Sequence, residues 1–231
     1  MKIPEGIDLT DVAALSRALM TRKVTRERFS LDMSHRDAAN ALYTALKVEV
    51  EQRGAHKNTE LVLDNDTRQH ILDIAEWLVR ADFPPSLLLY GKVGNGKTSM
   101  ARALMRLIEY ITECESYSRR IQARFVTAKD VCELCAVSER FKEQYDDYRR
   151  IFNERMLVID ELGSEPSEVI IYGQPKSPVT DLISHRYDRQ LLTIITTNLK
   201  KDELKSHYGL RVYDRLKEMV QPVVYSNSSY R

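Results

Sequence analysis

The spacing of apolar and polar positions divides the chain into two regimes. Residues 8–52 are poor in glycine and proline. There the segments "DLTDVAALSRALM" and "SHRDAANALYTALKVEVEQRG" predict two or three helices. Gly54 and the polar "AHKNTE" mark a linker. A further helix is predicted in "DNDTRQHILDIAEWLVRAD", capped by Asp or Asn and ended before Pro84 and Pro85. Beyond this point short apolar runs alternate with amphipathic stretches: "SLLLY", "ARFVT", "MLVID", "LLTIITT" and "PVVYS". Fully apolar runs of this length suit strands buried on both faces of a parallel sheet. Their alternation with helices predicts a doubly wound α/β domain. The expected organisation is a helical region over 1–60, linker included, and an α/β domain over 61–231.

The first chemistry sits between "SLLLY" and the helix "TSMARALMRLIEY". Gly91-Lys92-Val93-Gly94-Asn95-Gly96-Lys97-Thr98 matches G-x-x-x-x-G-K-T in its proper strand–helix context, the phosphate loop of a P-loop NTPase. Glycines let backbone N–H groups turn toward phosphate oxygens, and the helix N-terminus adds its dipole. The expected ATP-binding set is Gly91, Val93, Gly94, Asn95, Gly96, Lys97, Thr98 and Ser99. Lys97 reaches the β- and γ-phosphates, and the Thr98 hydroxyl ligates Mg²⁺.

A second half follows in "RMLVIDELG", where an apolar strand ends in Asp160 and Glu161. Ligands bind at the carboxyl edge of an open parallel sheet. Asp160 is expected to hold Mg²⁺, and Glu161 to orient and deprotonate an attacking water. A third apolar strand, "TIITTNL", ends in Asn198, whose amide can bond the γ-phosphate or the lytic water. The acidic pair favours hydrolysis over nucleotide storage.

Composition narrows the setting. The chain has 231 residues, is 43% apolar and 30% charged, and carries a formal net charge of +1. No global field draws it to nucleic acid or membrane, so any DNA contact needs a local basic patch. Cys114, Cys132 and Cys135 are too few and too odd in number for a disulfide scaffold, which fits a reducing cytosol. Cys132 and Cys135 share one face of a predicted helix with no second ligand pair nearby, and read as packing residues. No apolar run reaches signal-peptide or membrane-span length, so a cytoplasmic protein without a membrane partner is expected.

The phosphate loop, "VIDELG", "ISHRYDRQLLTIITTNL", "YGLRVYDRL" and "SSYR", in that order, resemble the AAA+ ATPases of the DnaC/IstB group, helicase loaders and transposition ATPases. The resemblance covers roughly residues 65–231. It implies an AAA+ domain that binds and hydrolyses ATP with Mg²⁺ and assembles as an ATP-dependent homo-oligomer. It gives Asn198 the first-sensor position, Arg215 the arginine finger and Arg231 the second sensor. Arg186 falls on an arginine with an inter-subunit or structural role. The partners implied are single-stranded DNA and a replicative ring helicase or, alternatively, a transposase with duplex DNA. A small-molecule kinase is the reading from another class, but no lid-like arginine cluster stands between residues 120 and 155. "SEPSEVIIYGQPKSP", residues 164–178, is longer than a minimal connection and reads as a loop facing DNA or a neighbour. Residues 1–60 match no motif. Their basic stretch, with Arg17, Arg22, Lys23, Arg26 and Arg28 against Glu27, suits either a solvated helix face or a partner-docking module.

Overall fold

The structure, a computed structural model, describes residues 11–20, 27–54, 59–115, 121–138, 141–227 and 229–230. Its helices are α1 (Val12–Met20), α2 (His35–Gly54), α3 (Asn65–Val79), α4 (Lys97–Glu115), α5 (Ala128–Ser138), α6 (Lys142–Asn153), α7 (Pro178–Asp188) and α8 (Lys201–Met219). Its strands are β1 (Ser86–Gly91), β2 (Ala123–Thr127), β3 (Met156–Leu162), β4 (Val169–Ile171), β5 (Gln174–Lys176), β6 (Leu192–Thr197) and β7 (Val220–Tyr225).

Five strands form one parallel sheet in the order β2-β3-β6-β1-β7. Successive side chains of a strand point to opposite faces, so each apolar run feeds two cores. Leu87, Leu89, Met156, Val158 and Ile194 enter one apolar cluster with α3 and α4. Leu88, Leu157, Ile159 and Ile195 enter a second with α5, α6, α7 and α8. This two-sided burial is why the strands read as continuous apolar runs rather than alternating ones. The α/β sheet sandwiched by helices is therefore the observed architecture.

The helical start of the chain is tied to this sheet. Leu42 and Leu46 of α2 are buried in the first cluster, together with Ile74 and Trp77 of α3 and Leu104 of α4. Each such side chain contributes about 1.5–3 kcal/mol by leaving water. Arg28 is held as well: its guanidinium donates to the carbonyls of Phe83 (2.8 Å) and Trp77 and lies over the Trp77 ring at 5.2 Å. Of the basic stretch, this arginine serves the fold. Arg22, Lys23 and Arg26 lie outside the described residues. In contrast, α1 buries none of its residues.

The stretch read as a loop over 164–178 contains the two-stranded antiparallel sheet β4–β5, which turns at Tyr172 and Gly173. Ile171 faces inward, while Ile170 and Tyr172 are exposed. Cys132 and Cys135 are buried and outside any disulfide, with Cys132 in the second apolar cluster, where burial pushes its thiol up to about 11. Among the described residues, no helix is long and apolar enough to cross a membrane.

Candidate nucleotide site

The site is assembled at the carboxyl edge of the sheet, where β1 runs into the phosphate loop and α4. Gly91 ends β1 with φ +150°, and a Cβ there would meet the Tyr225 carbonyl oxygen at 2.1 Å. Only glycine lets β7 approach so closely, so Gly91 shapes the loop's base rather than lining the cleft. Val93, Gly94, Asn95, Gly96, Lys97, Thr98 and Ser99 all line a cleft of about 290 Å³.

Lys97 is 6% exposed, and its Nζ donates to the Gly91 carbonyl (2.8 Å), the Lys92 carbonyl (2.6 Å) and Asn95 Oδ1 (3.0 Å). Burial pushes its pKa down to about 8, and the nearby Asp160 and Glu161 carboxylates oppose that shift. Asn95 is buried and uses its other end to donate to the Tyr225 carbonyl at 3.0 Å. The ammonium is thus pre-aimed by a loop that is itself pinned to β7.

The acidic pair arrives by an irregularity. The register between β3 and β6 shifts between Ile159 and Leu162, and Glu161 sits at φ 57°. A regular strand would send Asp160 and Glu161 to opposite faces. The bulge re-aims them: Asp160 meets the Thr98 hydroxyl, and Glu161 lines the cleft. Asp160 is 5% exposed and its Oδ1 accepts from Thr98 Oγ1 (3.0 Å) and Thr196 Oγ1 (2.5 Å). Glu161 is exposed, lines the cleft, and has its amide fixed by donation to Thr196 Oγ1 at 2.9 Å. A non-glycine residue in the left-handed region costs on the order of 1 kcal/mol and persists only where its surroundings impose it.

Asn198, one residue beyond β6, is exposed and lines the same cleft. The far wall was not legible in the sequence. It comprises Leu46 of α2, Leu61, Val62, His70 of α3, Tyr225 and Tyr230. His70 stacks on Tyr225 with ring centroids 3.8 Å apart, and Tyr230 straps the loop. The Tyr230 amide donates to the Gly94 carbonyl at 3.0 Å, while its hydroxyl donates to Asp64, the N-cap of α3, at 2.7 Å. These residues lie far apart in the chain, and no local motif marks them.

This arrangement has relatives among solved structures. The chain is similar to a structure described as the DnaC helicase loader, at 24% identity over 73% of this chain and 95% of that one, with a TM-score of 0.57. It is similar to DnaI at 18% identity over 89% and 97% of the two chains, with a TM-score of 0.54. A DnaA replication initiator bound to AMPPCP and single-stranded DNA matches at 15% identity over 73% of this chain and 49% of that one, with a TM-score of 0.52. The fold is the one that these DnaC, DnaI and DnaA structures share. At such identities the shared feature is the fold. No protein-family model matches the sequence, and no curated protein does.

Within this fold the arginines separate. Arg215, on α8, is absent from the lining of its own cleft. It is half-buried against α7, with Nη2 3.7 Å from Asp188 Oδ1 and its guanidinium 5.4 Å from the Tyr187 ring centroid. Arg186 is fully buried. It donates to Thr193 Oγ1 (2.8 Å) and to the carbonyls of Leu192 (2.7 Å) and Glu154 (3.0 Å), which places a cation at the C-terminal end of α6. Of the two roles expected for it, the structural one fits these bonds. Arg231 lies outside the described residues.

The donor set suits a hard divalent cation. Thr98 and Asp160 present oxygens side by side next to the phosphate loop. Mg²⁺ is commonly held by one or two protein oxygens plus substrate phosphates and water. Among the described residues there is no group of three His, Cys, Asp or Glu that could hold a metal without a substrate.

Proposed function

We propose that this chain is a Mg²⁺-dependent ATPase that works as a switch: it binds ATP between subunits of a homo-oligomer, engages single-stranded DNA and delivers a replicative ring helicase. The observation that carries the reading is the convergence of Lys97, Thr98 and Glu161 on one cleft, with Asp160 buried behind it on the Thr98 hydroxyl and Glu161 the exposed acid. In this reading the triphosphate replaces the loop carbonyls as acceptors for Lys97, and Thr98 and Asp160 hold Mg²⁺. The cation supplies neutralisation of phosphate charge. Glu161 takes the proton from water, and Asn198 orients that water or the γ-phosphate. The wall formed by Leu61, Val62, His70 and Tyr230 offers the partly apolar surface that a nucleobase needs.

The likeness to the DnaC structure, along 95% of that chain, supports the loader reading. Residues 1–60 are proposed as the partner-docking region. Because α2 is packed into the sheet's core, docking falls to α1 and the basic stretch after it. On α1, Val12, Leu19 and Met20 stand exposed beside Arg17. A pull-down with the full chain tests the assignment. Capture of a ring helicase, with ATP turnover stimulated by single-stranded DNA, is the expected result. Capture of a transposase with stimulation by duplex DNA replaces this reading by the transposition one.

The Lys97 environment gives a pH signature. With a pKa near 8 in the free protein, Lys97 loses its proton above pH 8. Phosphate anions favour the ammonium, so ATP binding takes up that proton. The apparent affinity for ATP is therefore level below pH 8 and falls by about tenfold per pH unit above it. Titration of a fluorescent ATP analogue between pH 7 and 9.5 checks this. A flat profile contradicts the role given to Lys97.

A further inference from the structure

Directly after the acidic pair the chain buries a carboxylate that the site does not use. Glu165 lies three residues beyond β3, and its side chain is 1% exposed. Burying a carboxylate is costly unless its oxygens are matched. Here both are matched. Oε2 accepts from the Gly163 amide at 2.8 Å, and Oε1 accepts from the Tyr208 hydroxyl. His207 Nε2 is 3.7 Å from the same Oε1, and the His207 and Tyr208 rings meet edge to face at 4.6 Å. Burial, and after it the Glu165 carboxylate, pushes the Tyr208 hydroxyl's pKa upward, which keeps it a donor.

The two ends of this contact belong to the two halves of the proposed catalytic apparatus. Gly163 and Ser164 form the turn that follows Glu161, and the Ser164 amide donates to the Glu161 carbonyl at 3.0 Å. Tyr208 ends the first half of α8. Gly209 follows at φ 78° and ψ 163°, a non-helical conformation that breaks α8 in two. A Cβ at Gly209 would meet nothing within 4 Å, so glycine is required there for conformation and not for space. The second half of α8 carries Arg215.

We infer that Glu165 is a positioning residue. Through Gly163 it sets the turn that holds Glu161, and through Tyr208 it sets the angle at which the Arg215 half of α8 leaves its break. One subunit's water-activating acid and the arginine it presents to its neighbour are thereby fixed to each other. The lock is local and polar, and a buried polar link of this kind has one geometry in which all partners are satisfied. The inference deepens the ATPase reading and rests on it.

Tyr208→Phe and Glu165→Gln in the full-length chain test it. Tyr208→Phe keeps the ring and its packing. Both variants are expected to keep ATP affinity and KM near the parental values while kcat falls by about 10–100-fold, the scale of a misplacement near 1 Å; the buried acceptor left unmatched in Tyr208→Phe lowers the melting temperature by a few degrees. The double variant is expected to fall no further than the worse single one, because both break one link. Hydrogen exchange gives a readout free of turnover: Tyr208→Phe speeds exchange at Gly163–Glu165 and at Tyr208–Arg211 together and leaves the phosphate-loop amides unchanged. Parental kcat in both variants, additive losses, or KM rising in step with a lost melting temperature each overturn the lock. Exchange confined to one of the two segments does the same. Glu161→Gln is the control. A parental chain that turns over no ATP removes the ATPase reading and this one with it; if Glu161→Gln turns over ATP at the parental rate, the role given to Glu161 falls, and the lock with it. If Glu161→Gln is inactive beside a fully active Tyr208→Phe, only the lock is wrong.

Discussion

Replacing Arg215 with alanine is expected to lower ATP turnover by about 10³–10⁵-fold, with ATP still bound by each subunit. Arg215 lies outside its own cleft, so its planar cation serves a neighbour's γ-phosphate or none. Its present partners do not hold it strongly. The contact to Asp188 is 3.7 Å long, and that carboxylate is 60% exposed, which makes it a surface pair worth little. The guanidinium is therefore free to exchange Asp188 for a phosphoryl group when subunits close. Mixing Arg215→Ala with Glu161→Gln subunits is expected to recover part of the activity, because some mixed interfaces pair an intact base with an intact arginine. Steady-state turnover over a range of mixing ratios measures this, with native mass spectrometry to show mixed oligomers. Mixed oligomers as inactive as either parent refute action in trans.

Glu161→Gln is expected to keep ATP binding and lower turnover by about 10²–10⁴-fold, the usual contribution of a positioned general base. The glutamine preserves shape and the strained backbone, whose amide bond to Thr196 does not involve the replaced group. Affinity and turnover are thereby separated. Equilibrium binding of a fluorescent ATP analogue and phosphate release measure the two. Lys97→Ala gives the complementary pattern, loss of tight binding, since it removes the loop lysine that lines the cleft. A Glu161→Gln protein that releases phosphate at the parental rate shows that another group activates water.

The two substitutions probe features of different legibility. The phosphate loop was readable because its glycines and lysine act through a contiguous backbone, and local sequence dictates that backbone. The acid pair was readable as residue types at a strand end. The bulge that re-aims the two acids was not, because a register shift depends on the pairing of β3 with β6. Charge patterns alone did not separate one arginine's role from another's. Arg28 belongs to a basic stretch, yet it hydrogen-bonds carbonyls around Trp77. Arg186 shares its chemistry with Arg215, yet it is wholly buried among carbonyls at the end of α6. The sign of a side chain says nothing of whether carbonyls or solvent will surround it.

What the sequence determined by itself is the parallel α/β sheet and the order of its nucleotide-facing motifs. Five apolar runs each needed two covered faces, and the amphipathic helices between them supplied the cover, so the period of hydrophobicity left little choice. Tertiary structure decided the rest. It folded α2 into the core despite the polar linker after it, because Leu42 and Leu46 meet α3 and α4. It made a two-stranded sheet of a stretch that reads as loop, and it turned Glu165 inward against Tyr208. It also brought His70, Tyr225 and Tyr230 to the wall of the cleft. These are contacts between residues distant in the chain, and their energy exists only once the sheet has set the distances.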